Sequence, residues 1–415
     1  MNETRDLIIG LDFGKENTQI SYFDRKADEP VTISVKAGSM LFEMPTCLCK
    51  RMDKGDYCVG LEAQYFVENK DAEMIEDLYG IIEQEAPVKV GKEMIAPSEL
   101  LANYLKGVLK FLGVLDIVKN TRCISVCMPS LGKIQISNFK KAFERLGYQE
   151  KQYLIMEYGE SFYHYVFSQK QELWNRSVGW YEFKNDQVTF RKLSINPTTK
   201  LTLVRMEEPV SAQLSTEKEQ RDLDFGEFVD RTVGTDLYSS IQITGYGFSR
   251  EWAEKSVIKL CYQKRKVFFG NNLFTKGACA AGKERLEDRR LKDYCYVSEA
   301  LVTSEVGMDM RIMGAPAYYP LLKAGVNWYE SRAHCEMILD DVKELVFVVT
   351  PMGSPDKKWI AMHLDGLPKR PNKTTRISLD MEYISAKECK VEVCDLGFGE
   401  LYPSSKKVWK ETVQW

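Results

Sequence analysis

The sequence predicts an α/β protein in which a duplicated body is followed by an all-β sandwich. Three observations predict it. An order of strand-like and helix-like segments in residues 1–175 returns in residues 176–286. Within each half, strands alternate with helices, as a largely parallel sheet covered by helices requires. Beyond Arg285 a charged connector (Glu287, Asp288, Arg289, Arg290, Lys292, Asp293) gives way to short β-rich runs with no long helical period, and residues 296–415 read as a sandwich.

The first half opens with the apolar run Asp6 to Leu11, then Gly-Leu-Asp-Phe-Gly, then the β-rich segment Thr18 to Phe23, together a hairpin. A third strand is expected near Val31 to Val35. Pro97 stands at a helix start, and Leu100, Leu101, Tyr104, Leu105, Val108, Leu109 and Leu112 recur at helical spacing behind it. Cys123 to Met128 reads as a buried strand, Ile134 to Leu146 as a helix stopped by Gly147, Tyr153 to Met156 as a strand, and an aromatic helix follows around Phe162.

The second half repeats the order. Strands are expected at Val178 to Phe183, Val188 to Leu193 and Leu201 to Met206, a loop at Ser211 to Asp222, and a helix at Phe225 to Val233. Ile241 to Thr244 reads as a strand, Ser249 as the N-cap of a helix whose Trp252, Ala253, Val257, Leu260 and Cys261 form one face, Val267 to Phe269 as a strand, and Leu273 to Glu284 as the closing helix. In the last segment strands are expected at Met308 to Ile312, Leu345 to Thr350, Trp359 to Leu364, Ile377 to Tyr383, Lys390 to Asp395 and Val408 to Val413. Trp328, Trp359 and Trp409 are assigned to its core.

Composition narrows the function classes. With 57 Lys and Arg against 60 Asp and Glu, the net charge of −3 lacks the basic footprint of a nucleic-acid binder. No apolar stretch reaches eighteen residues and no secretion signal is read at the start, so neither nucleic acid nor membrane is expected as a partner and a cytoplasmic location is expected. The eleven cysteines contain no CxxC pair and read as reduced thiols. His164, His334 and His363 lie far apart, and nothing in their spacing marks a metal or a catalytic pair.

The run into Gly10-Leu11-Asp12-Phe13-Gly14, followed by an antiparallel strand, resembles the first phosphate loop of the actin-like ATPase superfamily, whose fold is a duplicated, ribonuclease H-like nucleotide-binding body. The resemblance implies that Gly14, Lys15 and Asn17 lie at phosphates and that Asp12 holds Mg²⁺ through water. Thr244-Gly245-Tyr246-Gly247-Phe248-Ser249 looks like the family's nucleoside-binding turn, which implies roles for Gly245, Gly247 and Ser249. Leu273 to Gly282 resembles its closing Gly-Ala helix. Leu364-Asp-Gly-Leu-Pro368, ahead of Ile377 to Glu382, is similar to the substrate sandwich of DnaK-type heat-shock chaperones. The closest branch is thus a divergent, lidless DnaK-type protein.

The pattern also departs from the family. The second phosphate loop should follow Val178 to Phe183, where Trp180, Tyr181 and Phe183 would crowd a triphosphate, and Lys15-Glu16 stands where chaperones carry two threonines. Phosphoryl transfer rests on positioned charge, and one lost group costs about 10²-fold or more. The expectation is a pseudo-ATPase: weak ATP or ADP with Mg²⁺, no catalytic residues, and a protein or peptide partner held by the sandwich. The rival readings are an active ATPase or kinase of the same fold and a filament-forming structural protein.

Overall fold

The computed structural model describes residues 6–36, 38–197, 201–287 and 289–414. Among these, residues 6–197 with 202–296 form one compact unit and residues from Val297 onward form another.

In the first unit, β1 (Leu7–Phe13), β2 (Asn17–Asp24) and β3 (Glu29–Thr32) make an antiparallel meander. Helix α1 (Pro97–Leu109) precedes β4 (Thr121–Met128), α2 (Lys133–Leu146), β5 (Tyr153–Glu157) and α3 (Tyr158–Ser168). The sheet order is β3-β2-β1-β4-β5, with β4 parallel to β1 and β5 parallel to β4. Gly147 ends α2 at φ 93°, the left-handed stop expected of it. Between β3 and α1 the chain adds a small sheet from Leu48–Arg51, Tyr57–Val59 and Ala72–Ile75.

The second sheet follows with β6 (Ser177–Lys184), β7 (Gln187–Pro197), β8 (Thr202–Met206) and β9 (Val210–Gln213). Then come α4 (Lys218–Thr232), β10 (Tyr238–Tyr246), α5 (Glu254–Leu260), β11 (Lys266–Phe269), α6 (Leu273–Leu286) and β12 (Tyr294–Tyr296). Its central order is β8-β7-β6-β10-β11, and the strand directions repeat those of the first sheet. Strand β6 is buried on both faces: Val178 and Trp180 pack with Phe162 and Phe274, while Tyr181 and Phe183 pack with Phe225 and Phe228. A strand so placed reads as mostly apolar, here interrupted by Glu182, which pairs with Arg191.

Three expectations are corrected here. The third strand lies at Glu29–Thr32, earlier than Val31 to Val35. The stretch expected as a loop contains β9 and the first turns of α4, which starts at Lys218 rather than Phe225. Its polar opening is solvent-facing, and only Asp222, Phe225, Gly226, Phe228 and Val229 are buried. Ser249 does not cap α5; its carbonyl accepts the N–H groups of Trp252 and Ala253 in a preceding turn. The cap comes from α4, where the Asp222 carboxylate accepts Lys255 N–H and Ser256 N–H, both at 2.9 Å.

Helix α6 closes the unit against β1 and α3. Thr275 Oγ1 donates to Gly10 O at 3.0 Å and Ser161 Oγ to Phe274 O at 2.6 Å. A Cβ on Gly277 would lie 2.0 Å from Ser161 O, so α3 and α6 touch through their backbones. Gly277→Ala is expected to cost about 1–3 kcal/mol, as overpacking does. Gly270→Ala, whose methyl would meet only Asn272 Oδ1 at 3.8 Å, serves as the control. Urea midpoints measure both; equal midpoints would show that the helices part freely.

The second unit holds two four-stranded antiparallel sheets around one core. β13 (Ser304–Ile312), β14 (Ala315–Leu322), β16 (Glu344–Pro351) and β17 (Lys358–His363) form the first. The second contains β15 (Arg332–Ile338), β18 (Arg376–Ser385), β19 (Glu388–Gly397) and β20 (Val408–Gln414). Phe347 and Val349 from one sheet meet Leu379, Met381 and Val391 from the other. Trp409 is buried as expected, but Trp328 is half-buried and Trp359 is 63% exposed on edge strand β17, which overturns its place in the core. Strands β14 and β15 were not anticipated from the sequence. Pro316 and Pro320 in β14 fit because that strand is a sheet edge.

Candidate functional site

The turn after β1 begins the site. Gly14 N–H donates to Asn17 O at 3.0 Å, and Thr46 Oγ1 donates to Gly14 O at 2.9 Å, so both backbone groups of Gly14 are engaged. Lys15 and Glu16 are exposed. Asp12 is 6% exposed, and the Tyr158 hydroxyl donates to its Oδ1 at 2.6 Å. Burial pushes the Asp12 carboxyl up to about 7; the Tyr158 bond opposes this and nearby Glu43 adds to it. Tyr158 is the first residue of α3, pinned by stacking on Phe274 at 4.0 Å between centroids. Its hydroxyl lies 3.2 Å from where a Cβ on Gly14 would stand.

The second turn leaves β10 through Gly245 and Gly247, at φ 89° and 102°. A Cβ on Gly245 would sit 1.9 Å from Phe183 O, and one on Gly247 2.3 Å from Asn185 O. The glycines thus let this turn lie on the β6–β7 hairpin, where Asn185 N–H donates to Tyr246 O at 2.8 Å. Gly245 N–H is held by Asn271 Oδ1 at 2.7 Å.

The two turns meet through side chains. Asn17 Nδ2 donates to the Tyr246 hydroxyl at 3.3 Å, and that hydroxyl donates to Glu43 Oε2. Asn271 Nδ2 and Gln19 Nε2 reach Glu43 Oε1 at 3.3 and 3.4 Å. Burial, with Glu43 beside it, drives the Tyr246 phenol above its ordinary range, so the proton stays on the phenol.

On the hairpin side of the second turn, Gly247 and Ser249 line a cavity of about 640 Å³ together with Trp252, Lys218 and Arg221. The Arg221 guanidinium lies 4.7 Å from the Trp252 ring centroid. Its Nη2 donates to Asn185 O and Gly247 O, Nη1 donates to Ser215 O, and Nε is buried without a partner.

Side-chain contacts therefore gather Asp12, Gly14, Asn17 and Gly245 around Tyr158, Glu43 and Tyr246, while Gly247 and Ser249 line the Arg221 cavity and Lys15 is exposed. Tyr158, Glu43, Arg221 and Trp252 escaped sequence reasoning as site residues. The available signal for Tyr158 was an aromatic at a helix start after a strand, which is too common to single out. A Mg²⁺-triphosphate does not fit the first turn: both carboxylates beside it receive tyrosine hydroxyls, and Gly14 N–H already has its acceptor. In the Arg221 cavity the guanidinium is committed to three backbone carbonyls and to the Trp252 ring. Among the described residues, no group of three or more His, Cys, Asp or Glu side chains could hold a metal ion, and no helix is long and apolar enough to cross a membrane. All eleven cysteines are free thiols.

A family model described as "Family of unknown function (DUF5716) C-terminal" matches residues 29–299, and one described as "Domain of unknown function (DUF8552)" matches residues 301–415. No curated protein matches the sequence.

Proposed function

The chain belongs to the family of unknown function DUF5716, matched by its C-terminal model, and from that premise, which prescribes no activity, we propose a non-hydrolysing binding or scaffold protein. On this reading the first unit is a divergent actin-like body of the DnaK type with a vestigial nucleotide cleft, and the second is its protein-binding module. Two sheets with one strand order and one set of directions support the duplicated, ribonuclease H-like body. The observation that carries the loss of hydrolysis is the Tyr158–Asp12 hydrogen bond. It places a hydroxyl of the chain itself beside Gly14, on the carboxylate that would have anchored Mg²⁺. The cavity at Gly247 and Ser249 supports weak adenine-nucleotide binding. Affinity there stabilises no transition state, because it lies at the nucleoside end.

For the partner, the second unit offers a groove of about 1380 Å³ in which Met308, Met310 and Met337 line an apolar surface. Methionines adapt to varied apolar side chains, and the edge strands β14 and β15 lie beside the groove. A cytoplasmic location belongs to the same proposal.

Calorimetric titration with ATP and Mg²⁺, followed by phosphate release from wild type and Asp12→Ala, tests the nucleotide part. The expected result is weak or no binding and release at background in both proteins. Robust release abolished by Asp12→Ala would replace this proposal with the ATPase reading. Photo-crosslinkers placed at exposed Met313 and, as control, at exposed Leu115 test the partner part. A cytoplasmic protein captured from Met313 alone supports the binding module, and equal capture from both sites counts against it.

A further inference from the structure

A further cavity, of about 790 Å³, is lined by residues of α3 and α6 and shares no lining residue with the site above. Helix α6 lines it with Ala280, with Lys276 one turn before it and Lys283 nearly one turn after on the same helix face. Helix α3 and the segment after it supply His164, Phe167 and Trp174.

The charges of this cavity are unevenly committed. Lys283 Nζ pairs with Asp28 Oδ1 at 2.8 Å and lies 4.0 Å from the Phe23 ring centroid. Glu284 accepts Leu291 N–H at 2.7 Å. Lys276 is half-buried and has no partner among the described residues. Four of the seven charged lining residues are cations and three are anions, a net charge of +1 that one carboxylate would neutralise.

His164 is the second, independent observation. Nδ1 is buried without a hydrogen-bond partner, which leaves Nε2 as the nitrogen that a ligand in the cavity can reach. Burial lowers the imidazole to about 4, so it is neutral at physiological pH and can donate one hydrogen bond and accept another.

We propose that this cavity binds a small organic monocarboxylate with an aromatic or apolar body. The carboxylate pairs with Lys276 and takes a hydrogen bond from His164, while the body lies against Phe167 and Trp174. Lys276 supplies the charge that selects the anion, and the aromatic wall removes apolar surface of the ligand from water.

The test uses three fluorinated probes on the full chain, followed by ¹⁹F NMR: 4-fluorophenylacetate, its amide and 4-fluorophenethylamine. The expected result is saturable broadening of the carboxylate only, with affinity weakened about tenfold in Lys276→Gln and restored in Lys276→Arg. Ala280→Leu, which adds bulk to the cavity lining, is expected to abolish binding, and circular dichroism shows whether that variant remains folded. Because Lys276 is half-exposed, its variants keep the test decisive if Ala280→Leu does not fold. No broadening by any probe, equal broadening by the amine, or unchanged affinity in Lys276→Gln overturns the proposal. Displacement of the probe by adenosine monophosphate but not by unlabelled phenylacetate would do so as well, by assigning the cavity to a nucleotide.

Discussion

Replacing Arg370 by methionine is expected to destabilise the second unit by about 3–5 kcal/mol, the usual consequence of leaving a buried carboxylate without its cation. The Arg370 guanidinium binds both oxygens of Asp395 at 2.7 Å, with side chains 7% and 0% exposed. Asp395 also accepts Gly397 N–H, Ser405 N–H and the Ser405 hydroxyl at 3.0, 2.8 and 2.6 Å, so one carboxylate ties together the end of β19 and the loop into β20. Burial opposes the charge, but these bonds and Arg370 win and hold the Asp395 carboxyl far below the ordinary carboxylate range. A carboxyl depressed in the folded state adds stability above its unfolded value of about 3.9, and that stability is lost as pH falls below it. Wild type should therefore lose protection in β18 and β19 progressively below about pH 4, where Asp395 begins to take up protons only in the unfolded chain. Hydrogen exchange of peptides covering 376–397 in the full-length chain measures both effects. Exchange in Arg370→Met equal to wild type at pH 7 would show that the pair is replaceable by packing alone.

What could be read from the sequence follows from where each segment is buried. Cys123 to Met128 and Val178 to Phe183 were legible because strands covered on both faces are apolar over most of their length. Ile377, Leu379, Met381 and Tyr383 were legible for the opposite reason, since one face of β18 meets the core and the other meets water. Ala315–Leu322 was not legible because its prolines argue against a central strand, and sequence alone does not say that a strand is at an edge. Lys218 to Arg221 was missed because an exposed helical turn and a polar loop share one composition. The cap of α5 was misassigned to a local serine because its real partner, Asp222, lies 34 residues away from Ser256.

The site divides along the same line. Gly245 and Gly247 could be flagged because a positive φ leaves a residue-type signature, although their backbone neighbours could not be named in advance. The side chains that close the first turn left no such mark: Tyr158 is 146 residues from Asp12, and Tyr246 is 203 residues from Glu43. A tyrosine is equally at home in a core, and only the folded chain directs its hydroxyl onto a carboxylate.

That closure has a measurable consequence in the pH dependence of the first unit. Asp12→Asn is expected to raise its stability at pH 8 by on the order of 4 kcal/mol, while changing it little at pH 4. The Asp12 carboxyl stands at about 7 because it is buried on β1 with Glu43 nearby, and the single bond from Tyr158 compensates only in part. A group whose folded value is raised contributes its stability fully below the unfolded value of about 3.9 and loses it as pH rises through the folded value. Wild type should thus weaken between about pH 4 and 7 and then level off, whereas the asparagine variant, whose amide oxygen still accepts from Tyr158, should lack that decline. Tyr158→Phe removes the donor that favours the charged form and should carry the loss to higher pH. Urea unfolding of full-length proteins from pH 4 to 9, read by exchange of peptides covering 7–24 and 121–128, supplies the curves. Parallel curves for wild type and Asp12→Asn would mean that Asp12 is ionised throughout and open to a cation, which would restore the Mg²⁺ site that the geometry of Tyr158 argues against.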